Sequence, residues 1–344
     1  MKRAGGIVAL LLALTAASCG GQSVPSTTAP PVTTTAAAAT STTAAETTTT
    51  VLAYVYPYDF AVHPAAPVVQ PEDWDQSYTA VPWVILRGTE TLLFYAGASG
   101  RAASLGLATS SDGITFEKHP DNPLFAPPGG LGWFSIAEVD DQWVMWYVTG
   151  FSPPYRKVNR ATAPSLRGPW TDEGESFIAP DREWDQFIVP TGVTDIDGTL
   201  FMPYAGYDQT DRIPAIGLLT STDGVTWEPI GDDPIHTATE GTWDEKGVVP
   251  TNIIETERGL ELFFLGFDEA PKVGYQKNSI PMGRLVSTDG GESWLLDHDG
   301  LPVADTEERG WPGVSVAYVD GEYRLYLGDD LGGAGISLIT GTIP

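Results

Sequence analysis

Three Trp-Asp pairs recur along the chain: Trp74-Asp75, Trp184-Asp185 and Trp243-Asp244. Carboxylates at corresponding places of a repeat can act as acid, base or charge tuner around one bound ligand. The alternative is architectural, with each Asp capping a loop by accepting from its backbone amides. Glu138 is a fourth candidate catalytic carboxylate. It ends an apolar stretch, where an inward-facing carboxylate is costly unless it has a role. The four histidines, His63, His119, His236 and His298, fall outside the segments that would surround a common site. Neither a histidine mechanism nor a central metal is expected, and no cofactor is implied.

The elements that would position these groups come from an internal repeat. Tryptophans stand at Trp74, Trp133, Trp184, Trp243 and Trp311, spaced 59, 51, 59 and 68 residues apart. After each comes a β-rich segment, a polar turn and an aromatic or apolar strand: Leu92–Gly97, Trp143–Gly150, Leu200–Gly206, Leu260–Gly266 and Tyr323–Gly328. A third strand follows in each repeat. Three of these end in an Asp-Gly turn (Ser110-Ser111-Asp112-Gly113, Ser221-Thr222-Asp223-Gly224, Ser287-Thr288-Asp289-Gly290), a hairpin signal. The fourth strands run into proline-rich sequence at Phe116–Leu124, Trp227–Ile235 and Trp294–Val303. Four strands in roughly 55 residues, without sustained helical periodicity, predict an all-β, five-bladed β-propeller with four antiparallel strands per blade. The fifth repeat stops after its third strand. The segment from Phe60 to Val68 resembles that from Phe116 to Leu124, so the N-terminal strand is expected to complete the last blade and close the ring.

This architecture sorts the remaining chemistry. The Ser-x-Asp-Gly turns fall on one face as turn chemistry alone. The Trp-Asp loops and the loops between second and third strands share the opposite face, where most of the basic residues also collect. Trp83, Tyr155, Arg156, Arg160, Tyr207, Arg212, Lys246 and Tyr275 are the candidate substrate contacts. Charges and aromatic rings together suit a polyol ligand at the mouth of the central channel, through hydrogen bonds and ring stacking.

Several segments resemble the five-bladed glycoside hydrolase clan that includes families 32, 43 and 68. The resemblance rests on Trp184-Asp185 ahead of a Pro-bearing inner strand, on Phe201-Met202-Pro203-Tyr204-Ala205-Gly206, and on Ser221-Thr222-Asp223-Gly224-Val225-Thr226-Trp227. It implies a three-carboxylate site on the inner strands. At those positions this chain has Thr79-Ala80-Val81-Pro82, Phe134-Ser135-Ile136 and Ile188-Val189-Pro190, none of them acidic. Catalysis would then have to use Asp75, Asp185, Asp244 or Glu138 from displaced positions. A second resemblance, of the segment from Ser287 to Trp294 to the sialidase Asp-box, is opposed by the five repeats.

The N-terminus reads as an export signal. Lys2 and Arg3 precede the apolar run Ile7–Leu14, which is shorter than the ~20 residues of a membrane span. Cys19, the single cysteine, follows Ala16-Ala17-Ser18 and resembles the lipidation site of bacterial lipoproteins. Residues 1–18 are the signal, 19–50 a Thr/Ala/Ser/Pro-rich tether too polar and low in apolar residues to fold, and 51–344 the propeller. Formal net charge is −27, which argues against nucleic acid and anionic lipid as partners. The sequence therefore points to a monomeric, lipid-anchored or secreted protein whose partner is an oligo- or polysaccharide. It is either a glycoside hydrolase-like enzyme or a non-catalytic glycan binder on the same scaffold.

Overall fold

The computed structural model describes residues 56–150, 155–210, 213–268, 279–306, 313–328 and 335–344. The signal, the tether and Cys19 lie outside the described residues. The rest forms five antiparallel sheets arranged as the blades of a propeller.

Blade one contains Tyr78–Arg87, Glu90–Ala98, Ser104–Ser110 and Glu117–Lys118. Blade two contains Leu131–Val139, Gln142–Thr149, Lys157–Ala163 and Thr171–Ile178. In blade three the inner strand is broken into Phe187–Pro190 and Thr194–Ile196, followed by Thr199–Tyr207, Ala215–Ser221 and Glu228–Pro229. Blade four has Val248–Thr256, Gly259–Gly266, Pro281–Ser287 and Leu295–Leu296, and Ala304–Asp305 pairs back onto its third strand. Blade five has Val314–Val319, Glu322–Leu327 and Ser337–Gly341. Its outer strand is Phe60–Val62, which places Phe60 opposite Gly341.

Each blade lies between two others, so its second strand is buried on both faces. Leu92 through Ala96 and Val144 through Val148 are accordingly unbroken apolar runs without alternation. The hairpins joining first and second strands in blades two, three and five place Asp140-Asp141, Asp197-Gly198 and Asp320-Gly321 at positive φ, the geometry of tight type I′ turns. The fourth strands are much shorter than expected, two residues in blades one, three and four. In blade one Pro120 stands two residues on, and in blade three Pro229 itself ends the strand; proline has no N–H to extend the ladder. The Ser-x-Asp-Gly turns behave as read: Asp223 accepts from the amides of Thr226 (2.7 Å) and Val225 (2.8 Å), which hold its carboxyl down to about 2. Two of these turns also fasten neighbouring blades. Gly224 O accepts the indole N–H of Trp146, and Gly113 O the hydroxyl of Tyr326.

Around the channel the five inner strands splay apart, and side chains supply bonds that backbone pairing cannot reach. Trp83 Nε1 donates to Ile136 O (2.9 Å) between blades one and two. Thr194 Oγ1 donates to Ile253 O (2.8 Å) between blades three and four. Asn252 accepts from Val316 N (2.7 Å) and donates to Val316 O (2.9 Å) between blades four and five. Val84 N donates to Ser315 Oγ (3.1 Å) between blades one and five. Asn252→Ala would leave both backbone groups of Val316 buried without that partner. It is expected to lower the unfolding free energy by about 2–4 kcal/mol, read from urea denaturation followed by tryptophan fluorescence.

Candidate functional site

The three recurring aspartates are fully buried, and each is ringed by donors. Asp75 accepts from the Glu72 amide (2.6 Å), the Tyr95 hydroxyl (2.9 Å) and Lys118 Nζ (2.7 and 2.9 Å). Asp185 accepts from the Arg182 amide (3.2 Å), Arg182 Nε (2.9 Å) and the Tyr204 hydroxyl (2.8 Å). Asp244 accepts from the Thr239 amide (3.2 Å) and the Thr242 hydroxyl, with His236 Nε2 at 3.5 Å. The preceding tryptophans stack on the same blade's buried aromatic ring: Trp74 on Tyr95, Trp184 on Tyr204 and Trp243 on Phe264. Space is exhausted around each stack. A Cβ on Gly206 would meet the Trp184 ring at 2.6 Å and Asp185 Cβ at 2.8 Å, and Gly97 and Gly266 stand in the same relation to their own Trp-Asp pairs.

These contacts give Asp75, Asp185 and Asp244, the carboxylates read from the sequence as catalytic candidates, a structural engagement. Asp75 ties its crossover loop to the second strand and, through Lys118, to the outer strand; Asp185 ties its loop to the second strand, and Asp244 fastens the loop from Thr239 to Thr242. Burial, and secondarily the adjacent carboxylate, pushes the hydroxyls of Tyr95 and Tyr204 far above their ordinary range. The repeat itself is corrected at one position. Trp133 lies inside the inner strand of blade two and heads no such anchor, and Trp311 lies outside the described residues.

The channel has two unlike halves. On the side where the chain crosses between blades, Val81, Trp133, Val249, Leu265 and Val314 are buried around a void of only about 10 Å³. No sugar ring fits there. Val81 and Trp133 fall at or beside inner-strand positions where the hydrolase resemblance implies carboxylates. Val81 has φ +49, strained for a β-branched residue, and Gly313 approaches so closely that a Cβ there would lie 2.9 Å from Val81 Cα. On the opposite side, among the hairpins, the channel opens into a cup of about 440 Å³. Its floor is the aliphatic ring Val84, Ile136, Val193, Ile253 and Val316. Trp83 and Trp143 form part of its wall.

The cup's rim follows the fivefold repeat. Counting back from each hairpin, the second-to-last paired residue of the inner strand is Leu86, Glu138, Asp195, Glu255 and Tyr318 in blades one to five. All five line the cup. Glu138 is thus exposed at an open mouth, which removes the desolvation cost expected for it, and it shares no cavity with Asp75, Asp185 or Asp244. Asp195, Glu255, Tyr318 and Trp143 were not singled out in the sequence. Only their common place in the repeat marked them.

The expected substrate contacts are dispersed. Tyr155, Arg156 and Tyr207 meet around Phe187 at the junction of blades two and three. There Tyr155 pairs with Ile188, Arg156 lies 5.6 Å over the Phe187 ring, and Tyr207 sits opposite Phe187 in register. Tyr207 is buried and Arg156 is held by Asp181 and the Gln186 carbonyl. Arg160 pairs with Glu173 and Lys246 with Glu245. Trp83 belongs to the cup on the far side. Arg212 and Tyr275 lie outside the described residues. Among the described residues no cluster of three or more His, Cys, Asp or Glu could hold a metal ion.

No known family model and no curated protein matches the sequence. Solved structures do match the fold. A glycosyl hydrolase from Bacteroides ovatus superposes with a TM-score of 0.61 at 19% identity, over 84% of this chain and 94% of that one. A β-1,2-mannobiose phosphorylase from Listeria innocua gives 0.61 at 14%, over 83% and 97%. A family 117 glycoside hydrolase from the marine bacterium Zobellia galactanivorans gives 0.54 at 15%, over 83% and 90%. The chain has the five-bladed fold of these carbohydrate-active proteins. At such identities the likeness concerns the fold alone.

The Asp244 anchor has a pH signature. Burial raises its carboxyl pKa, but the bonds from His236, Thr242 and Thr239 outweigh this, and the net displacement is downward. A depressed folded value stabilises the fold above the unfolded value of about 3.9. That contribution disappears as pH falls through the folded value. Asp244→Asn is therefore expected to unfold more easily than wild type at pH 7, by about 1–3 kcal/mol, with the gap closing below pH 4 in thermal melts run between pH 2.5 and 7.

Proposed function

We propose that this protein is an exported, lipid-anchored glycan receptor that binds carbohydrate on a glycoside hydrolase-type propeller without hydrolysing it. The observation that carries the reading is the fate of the acidic groups. The three recurring aspartates are buried and saturated as loop anchors, and the crossover half of the channel is filled with apolar side chains. Hydrolysis needs two carboxylates placed about a bond, and among the described residues that half offers none. The shared fold supports carbohydrate as the ligand class. Export and anchoring rest on the signal-like N-terminus and on Cys19 beside small residues.

The purified protein incubated with a panel of plant, algal, fungal and bacterial glycans is expected to release no sugar while retaining at least one of them in affinity electrophoresis. Any sugar release would overturn the non-catalytic reading, and release that survives Asp75→Asn and Asp185→Asn would locate catalysis elsewhere in the chain. Failure to retain any glycan would overturn the receptor reading.

A further inference from the structure

Exposed apolar side chains are sparse on this propeller and unevenly spread. Among the described residues seven large hydrophobic side chains are exposed, and three of them, Leu295, Leu296 and Leu301, fall within one short stretch at the outer edge of blade four. Leu295 is the most exposed of the seven, at 72%, and Leu301 stands at 50%. The stretch is braced. His298, Asp299 and Gly300 all have positive φ, a conformation that suits only the glycine. Two non-glycine residues in succession there cost conformational energy, which the surrounding bonds hold in place. The Gly300 amide donates to Asp297 O (3.2 Å), the Leu301 amide to His298 O (3.0 Å) and the Trp243 indole N–H to Gly300 O (2.9 Å). Leu296 lies against the turn, where a Cβ on Gly300 would stand 3.3 Å from its Cδ2. A local cluster of leucines held out in water marks a surface that meets an apolar partner.

The course of the chain and the local charge identify that partner. The polypeptide ahead of the propeller arrives at this edge: the Tyr58 ring lies 5.7 Å from the His298 ring and 6.0 Å from the guanidinium of Arg284, which is bonded to Asp297. Cys19, the proposed anchor, stands 37 residues before Tyr56. A bilayer holding Cys19 is therefore presented to this edge at high effective concentration. The segment from Gly290 to Leu301 contains no lysine or arginine, and Glu292 and Asp299 in it are exposed. Arg284 is buried and paired with Glu261 and Asp297. Nothing at this edge attracts anionic headgroups, so leucine insertion below uncharged ones is the contact that fits. We infer that Leu295, Leu296 and Leu301 insert into the uncharged phospholipid surface to which Cys19 is attached, and so fix the side on which the propeller rests. The inference rests on the lipid-anchored reading and is independent of the ligand class.

The test uses the full chain purified with its lipid, carrying a polarity-sensitive dye on Leu295→Cys, with Asp197→Cys in a blade-three hairpin as the control. Cys19 is the single cysteine, so its acylation leaves the substituted position as the one thiol open to the dye. In phosphatidylcholine vesicles the dye at 295 is expected to shift to the blue and to be quenched by brominated acyl chains, and the dye at 197 to do neither. Replacing part of the lipid with an anionic one should weaken the shift. Adding Leu296→Ser/Leu301→Ser should abolish it. Both side chains are exposed, so unfolding curves should match those of the protein without these two changes. No shift at 295, an equal shift at both positions, or a shift that survives the leucine substitutions would overturn the inference. So would a shift without vesicles that grows with protein concentration, which would make the patch a contact between copies. A protein mass showing Cys19 unacylated overturns the anchored reading and the inference together. An acylated protein with no shift overturns the inference alone.

Discussion

A carboxylate removed from water must recover its solvation from fixed donors, and in this propeller that requirement organises three of the five blades. Asp75, Asp185 and Asp244 each take a loop amide and a side-chain hydroxyl, with Lys118, Arg182 or His236 alongside. Isolated burial of such a charge would be prohibitive, whereas a saturated one fixes its surroundings. The crossover loop is held at a set height over the blade, the neighbouring tryptophan is laid flat on the second-strand aromatic ring, and the glycines beneath have no room for a side chain. The anchors differ in one respect. Blade four substitutes Phe264 for the tyrosine and sets His236 where the other two have Lys118 and Arg182, with Thr239 and Thr242 supplying the bonds to Asp244.

The same arrangement separates architecture from ligand chemistry. Among the described residues, Asp75, Asp185 and Asp244 at the crossover end are engaged by the protein itself, and the channel beside them is closed by valine, leucine and tryptophan. The acidic groups that remain in contact with solvent around the channel stand at the hairpin end, above an aliphatic floor. A single pore thus presents a sealed apolar half and an open, negatively charged half.

Much of the fold was legible because its determinants are local and repeated. The Asp-Gly turns, the apolar second strands and the Trp-Asp pairs each report a backbone or packing requirement, and together they count the blades. The fourth strands were overread because apolar and aromatic residues suggested extension where Pro120 and Pro229 limit pairing in blades one and three and the Asp297–Gly300 turn does so in blade four. Trp133 was misread because spacing alone equates residues that burial distinguishes. The partners of the aspartates were illegible for a related reason. A sequence shows that a carboxylate recurs, and only the fold shows that Tyr95, Tyr204 and the flanking cations had already claimed it. Conversely, Asp195, Glu255 and Tyr318 stand just before hairpin turns, where acidic and polar residues ordinarily mean nothing beyond solvation. Their meaning comes from the fivefold symmetry that brings the five hairpins around one opening.

The outer strand of blade five, Phe60–Val62, lies far in sequence from its partner Ser337–Gly341. Phe60 also packs its ring against Phe263 and Tyr323, and Arg258 of blade four reaches the carbonyls of Ile343 and Pro344. Any mechanical pull delivered through the polypeptide ahead of Tyr58 is therefore borne first by a three-residue strand and one wedged aromatic ring. The molecule has a built-in weak link, placed at the seam where the first and last blades meet and away from the cup.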